Sequence, residues 1–195
     1  MSEYAIRGAG VKERTADRLD RRTLDTLISS TGTVVAVVLM LLGGLAIWGG
    51  LFAQDNVRTR LEPQNISFPP AAAMTPAEKA DLGEFAGQKV DTGVEAEAFS
   101  RYIGGHLVDI NEGATYSETS SAAREEGLDP ETAAELQGKA DTLFKGEALR
   151  SILLNAYAWW TVATITLYAG IGLIVVGVVL AVLSLLGFRH ARKSA

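Results

Sequence analysis

Two histidines, His106 and His190, are the side chains of this 195-residue chain best suited to metal binding or general base catalysis. His106 precedes Asp109 by three residues, and on a helix this spacing places the imidazole and the carboxylate on one face. Three further carboxylates are close in sequence, at Glu95, Glu97 and Glu112. A non-haem iron site of the two-histidine type needs a second imidazole, which this region lacks. We therefore predict no metal site and keep His106 and Asp109 as weak candidates.

His106 also falls on the apolar stripe of a predicted helix, a position typical of a hydrogen-bonded core histidine. The stripe follows the helical i, i+3, i+4, i+7 rule and comprises Phe99, Tyr102, Ile103, His106, Leu107 and Ile110. No G-x-S-x-G, Walker or dinucleotide-binding motif is present. The sequence predicts a protein that is not an enzyme and binds no cofactor, with a metal-dependent activity around His106 as the alternative.

The chain contains no cysteine. This composition excludes disulfides, cysteine-ligated zinc and iron–sulfur clusters. Any domain exported to an oxidising compartment must therefore be held together by packing or by partners.

Two long runs without a charged residue dominate the hydropathy pattern. The first has 29 residues (26–54) and the second has 38 (151–188). A bilayer core about 30 Å thick is crossed by roughly 20 apolar residues in a helix, so each run is long enough to span it. The sequence predicts two transmembrane helices, and because neither contains a charged residue, a transporter is disfavoured.

The first run resembles a secretion signal in its position, but it is much longer than the apolar region of a typical signal. The apolar region of a signal peptide has about 7–15 residues and is followed by a small-residue cleavage site, which residues 45–53 do not provide. We predict an uncleaved signal anchor, with a cleaved signal peptide as the alternative. Aromatic residues near the outer ends of the two runs fit a membrane interface, and these are Trp48, Phe52, Tyr157, Trp159 and Trp160.

The distribution of positive charge predicts the orientation. Lys and Arg are more frequent beside the two chain ends than beside the intervening region, which places both ends in the cytoplasm. The predicted cytoplasmic anchors are Arg14, Arg18, Arg21, Arg22, Arg189, Arg192 and Lys193. The region between the runs, residues 55–150, has nine Lys and Arg against eighteen Asp and Glu, a net charge of −9.

The region between the runs has a mainly helical pattern. Prolines 63, 69 and 70 interrupt any helix that leaves the first run. Thr75 with Glu78, and Thr92 with Glu95, have the spacing of capping boxes and predict two helix starts. A further helix is predicted from Asp129 to about residue 145, followed by an interfacial segment. A domain of this size with few large apolar residues is marginal without a partner.

Several short strings resemble a family of small two-span membrane proteins from actinomycete-type bacteria. They are residues 4–8 (YAIRG), 12–18 (KERTADR), 65–70 (NISFPP), 143–146 (LFKG) and 156–159 (AYAW). Some members of that family are labelled aromatic ring-opening dioxygenases. The sequence argues against this activity here, because it lacks the iron ligands and a soluble catalytic fold.

Together these patterns predict an all-α membrane protein with two transmembrane helices flanking a small helical extracytoplasmic domain. The predicted segments are a charged cytoplasmic segment (1–28), a first span (29–53), the outer domain (54–150), an interfacial segment (151–161), a second span (162–187) and a basic cytoplasmic tail (188–195). The predicted function is a non-catalytic accessory or scaffold subunit of a cell-envelope assembly in the plasma membrane. Its partners would be the lipid bilayer and another membrane protein or itself, without nucleic acid. A homo-oligomeric two-span channel is the alternative.

Overall fold

The computed structural model describes the backbone of residues 2–193 and the side chains of residues 23–192. Over residues 2–193, five α-helices follow one another: α1 (Ser2–Leu61), α2 (Pro76–Leu82), α3 (Gly93–Ile110), α4 (Tyr116–Ala122) and α5 (Pro130–Lys193). Short 3₁₀ turns lie at Glu62–Gln64, Ala71–Ala73 and Gly83–Phe85. The described residues form no strand, only an isolated antiparallel bridge between Ser67 and Lys89. The all-helical prediction is confirmed.

Capping boxes begin the short helices. Thr75 caps α2 and Thr92 caps α3, each by accepting the backbone N–H three residues on, while Glu78 and Glu95 accept the cap N–H in return. Both of these predicted starts are confirmed. A third box, Thr115 with Glu118, begins α4 and was not predicted. Each box satisfies backbone donors that the first turn of a helix leaves without a partner.

α1 and α5 are long and apolar enough to cross a membrane. Most of the large apolar side chains in their uncharged runs are exposed to the surroundings of the chain rather than buried within it. A helix that is apolar on nearly all sides suits a membrane span better than the surface of a soluble protein. Two apolar helices of this length are consistent with a membrane protein.

The chain forms two compact units. The first unit comprises the described parts of Met1–Gly49 and Thr166–Ala195, where α1 and α5 pack antiparallel. Gly43 and Gly170 meet at this contact: a methyl group added to either would lie 2.7 Å from the carbonyl oxygen of the other. At Gly177 it would lie 3.0 Å from the carbonyl oxygen of Ala36. The helices therefore approach so closely that only hydrogen fits at these glycines.

Small residues recur every seven positions along both sides of this contact. On α1 the buried positions are Ser29, Ala36 and Gly43, and on α5 they are Gly170, Gly177, Ser184 and Ala191. A seven-residue repeat is the spacing at which two helices stay in contact by supercoiling around each other. We call these seven residues the small-residue seam.

The second unit, Gly50–Ile165, has its own hydrophobic core. The core gathers Val57, Leu61, Phe68, Met74, Leu82, Val90, Ala96, Ala98 and Leu153. Phe68 lies at its centre and is 3% exposed. Its ring stacks on Phe85 at a centroid distance of 5.4 Å and meets Phe99 edge-on at 5.1 Å. These contacts order the proline-containing segment around Phe68, although it is not helical.

Polar contacts hold the remaining segments of the second unit in place. The backbone N–H of Phe68 donates to the carbonyl of Gln88 at 2.9 Å, and that of Val90 donates to Ile66 at 2.9 Å. The side-chain amide of Gln54 donates to the hydroxyl of Thr164 at 2.9 Å. These bonds satisfy polar groups in a largely apolar environment, where unpaired groups are costly.

The second long helix differs from the prediction at its N-terminal half. The sequence predicted a helix ending near residue 145, but α5 continues without a break to Lys193. The predicted interfacial segment, residues 151–161, is part of this helix, and its place at the membrane surface stays a prediction. No proline follows Pro130, and Gly146 does not end the helix. The side chain of Leu107 packs directly against Gly146, because a methyl group added at Gly146 would lie 2.6 Å from it.

Candidate functional site

His106, the predicted candidate for chemistry, lies at the exposed end of a row of rings on α3. Its ring centroid is 4.4 Å from that of Tyr102, and its Nδ1 is 3.0 Å from the Tyr102 carbonyl oxygen. Its side chain is 48% exposed. The prediction of a core histidine is therefore wrong. Helical spacing alone put His106 on the apolar stripe, whereas the aromatic core around Phe68 extends only as far as Tyr102.

The carboxylate beside His106 is that of Glu78, with its Oε1 3.7 Å from Nδ1. Glu78 already serves the α2 capping box, and hydrogen bonds from the backbone and hydroxyl of Thr75 lower the pKa of Glu78, with a smaller contribution from His106. The predicted neighbour Asp109 is exposed. Over residues 23–192, no three His, Asp or Glu side chains lie where they could share a metal ion. The structure does not bring the weak metal candidates together into a site.

Two of the other three predicted carboxylates have structural partners, whereas Glu112 is exposed just after the end of α3. Glu95 accepts the backbone N–H groups of Asp91 and Thr92, and Glu97 pairs with Arg101 at 3.0 Å. Hydrogen bonds of this kind fix the carboxylates at a helix terminus and on a helix surface. Their roles are explained by the local structure of α3.

Arg150 anchors α3 to α5. Its Nε donates to the carbonyl oxygen of Ser100 at 3.1 Å, and its Nη1 pairs with Glu147 at 2.6 Å. The guanidinium lies against Gly104, where an added methyl group would be 3.0 Å from Cζ. Arg150 was not among the predicted site residues, and in the structure it joins two helices.

An open groove of about 1030 Å³ lies in the second unit, between the end of α1 and residues 149–159 of α5. We call it the interfacial groove. Its apolar lining includes Phe52, Val57, Leu61, Ile152, Leu153 and Trp159. Ligand pockets generally have about 300–1,000 Å³, so the groove is large enough for a sizeable ligand.

The polar residues of the interfacial groove are few and carry no negative charge. They are Asn56, Thr59, Arg60, Gln64 and Asn155. Arg60 donates from Nε to the side-chain oxygen of Asn56 at 3.1 Å, and among the described residues it forms no ion pair. Its neighbour Arg58 differs, because it lies 3.5 Å from the carboxylate of Asp91. The groove therefore presents one cation whose charge is not neutralised by the chain.

The predicted interfacial aromatics have different surroundings. Trp48, Phe52, Tyr157 and Trp159 are exposed, and two of them, Phe52 and Trp159, line the interfacial groove. Trp160 packs instead on the core of the second unit, against Gly93, where the structure leaves no room for a methyl group. Their place at a membrane interface stays a prediction.

The predicted cytoplasmic anchors lie partly outside the described side chains. Arg14, Arg18, Arg21, Arg22 and Lys193 fall there. Arg189 and Arg192 are described and exposed. Their position is compatible with contact to headgroups, and their side of the membrane stays a prediction.

The sequence reasoning missed the small-residue seam and the groove. The signal that identifies the seam in the sequence is the recurrence of small residues every seven positions. Asn56 and Arg60 are also spaced by one helical turn after the first run, which could have indicated a polar rim. Nothing in the sequence places Asn155 and Ile152 beside them.

Comparison with protein-family models, with curated proteins and with solved structures found no match. The resemblance to a two-span family therefore stays a prediction.

Proposed function

We propose that this chain is a two-pass integral protein of the plasma membrane that acts as a non-catalytic accessory or scaffold subunit of a cell-envelope assembly. Both termini would be cytoplasmic, and the second unit would be the extracytoplasmic domain. The positive charges near the two chain ends support this orientation. The antiparallel packing of α1 on α5 supports the placement of both termini on one side of the membrane, because it brings Ser29 and Gly187 to the same end of the first unit.

The observation that carries the proposal is the small-residue seam. Ser29 and Ser184 are buried in the contact between the two helices, against Gly187 and Gly32 respectively. A channel built from several copies would need polar side chains on a face directed towards a pore. Here these two serines are buried between the α1 and α5 helices of one chain. The faces of α1 and α5 that point away from this contact carry large apolar side chains. This arrangement favours a membrane-anchored subunit over the channel.

The topology predicts an efficient disulfide between cysteines introduced at positions 32 and 184. A Cβ atom at residue 32 would lie 3.8 Å from that of Ser184, within the range of about 3.5–4.5 Å found in disulfides. The native chain has no cysteine, so the double variant Gly32→Cys/Ser184→Cys has no competing thiol. Oxidation in isolated membranes should give an intramolecular cross-link, detected as a mobility shift that a reducing agent reverses.

A matched control is the pair Gly44→Cys/Gly172→Cys, because an added methyl group at either glycine meets nothing within 4 Å. These two cysteines should form no disulfide with each other within one chain. Cross-linking of positions 32 and 184 only between chains would contradict the hairpin and favour the oligomeric channel.

The function itself is tested by affinity purification from native membranes in a mild detergent. A partner that co-elutes reproducibly in stoichiometric amount is the expected result, with an identically tagged unrelated two-span protein as the control. Recovery of the chain alone at a multimeric mass, with conductance in planar bilayers, would overturn the accessory role and establish the channel.

A further inference from the structure

We infer that the interfacial groove binds one anionic phospholipid, with an acyl chain along its apolar lining and the phosphate at Arg60. This inference rests on the membrane placement proposed above and goes beyond the accessory role. Val57, Leu61 and Leu153 belong to the core and give the groove an apolar floor. Ile152 and Trp159 extend this apolar surface at its exposed side.

The positive charge of Arg60 in the groove favours an anionic lipid headgroup. Residues 55–150 carry twice as many acidic as basic side chains, eighteen against nine, yet no Asp or Glu lines the groove. Arg60 is the cation there, and its hydrogen bond to Asn56 occupies Nε while leaving its two terminal nitrogens for a ligand. Arginine recognises phosphate by bidentate charge-assisted hydrogen bonds, and amides such as Asn155 can add neutral ones.

The sequence position of the groove favours a lipid over a soluble ligand or a protein helix. Phe52 lies near the end of the first uncharged run, and Ile152 and Trp159 lie near the start of the second, so the lining comes from both membrane approaches. At this depth acyl chains and phosphates are present together. An apolar helix of a partner protein would fill the lining but would leave the Arg60 guanidinium without a counter-charge.

The test is native mass spectrometry of the full chain released from a neutral detergent after titration with phosphatidylglycerol or phosphatidylcholine. The wild-type protein should retain one phosphatidylglycerol preferentially. Arg60→Gln should weaken that binding about tenfold, the loss expected for one charge-assisted hydrogen bond. Ile152→Trp, which fills the exposed apolar part of the groove, should reduce retention of both lipids.

Arg58→Gln is the matched control, since it removes the same charge two residues away on α1 and does not line the groove. It should bind phosphatidylglycerol within about twofold of wild type. Equal losses in Arg60→Gln and Arg58→Gln, or equal retention of the two lipids by wild type, would overturn the inference. A chain that is not recovered in alkali-washed membranes would instead refute the proposed membrane placement, so the two failures are distinguishable.

Discussion

Gly43→Leu should destabilise the helical hairpin by about 1–3 kcal/mol, the usual cost of overpacking a well-packed contact. We expect the upper end of this range, because an added Cβ would lie 2.7 Å from the carbonyl oxygen of Gly170, and a backbone atom cannot rotate away. The helices must separate or shift along each other, which also disturbs the other positions of the small-residue seam. The measurement is the fraction of detergent-solubilised protein that remains monodisperse in size-exclusion chromatography after heating.

Gly44→Leu provides the control, since this neighbouring glycine is exposed and an added methyl group there meets nothing within 4 Å. Leucine is the better helix former, so this variant should be as stable as wild type or slightly more so. For a chain of this size, each kcal/mol corresponds to about 2–4 °C in midpoint temperature. If both variants behaved alike, the close approach of the two helices at Gly43 would be refuted.

Phe68→Ala should destabilise the second unit by about 3–5 kcal/mol, the typical cost of removing a buried aromatic side chain. Phe68 is 3% exposed and contacts Phe85, Phe99 and Tyr102, so its removal leaves a cavity bounded by three rings. The pairing of its segment with residues 88–90 should weaken as well, because that segment is not helical. Limited proteolysis in detergent should detect rapid cleavage between residues 62 and 92.

The control for this prediction is Phe144→Ala on α5. Phe144 is 59% exposed, and its ring contact is with Tyr116 at a centroid distance of 5.7 Å. Loss of this contact should leave the rate of cleavage near that of wild type. Rapid cleavage of both variants, or of neither, would show that Phe68 does not have the central role in the core that its burial indicates.

The sequence alone predicted those features whose causes are local. The capping boxes at Thr75 and Thr92 were predicted correctly because a side chain and a backbone group three residues apart form them without any distant partner. The two apolar helices were predicted correctly because length and the absence of charge are properties of each run taken by itself.

The sequence was less informative where a residue has a distant contact. His106 was placed in the core by its helical spacing, yet spacing cannot tell how far along a helix the covering segment extends. The helix end predicted near residue 145 is absent, and Gly146, a residue with poor helix preference, lies in the helix and packs against Leu107.

The sequence by itself therefore determined the helical class, the two membrane-length segments and the acidic character of the region between them. Only the tertiary structure decided which glycines form the contact between α1 and α5 and which, such as Gly44, lie open. It alone also brought Arg60 together with Ile152 and Trp159 in one groove. The physical reason is that these relations join residues about 90 or more positions apart, and their positions in space depend on the packing of both long helices rather than on local preference.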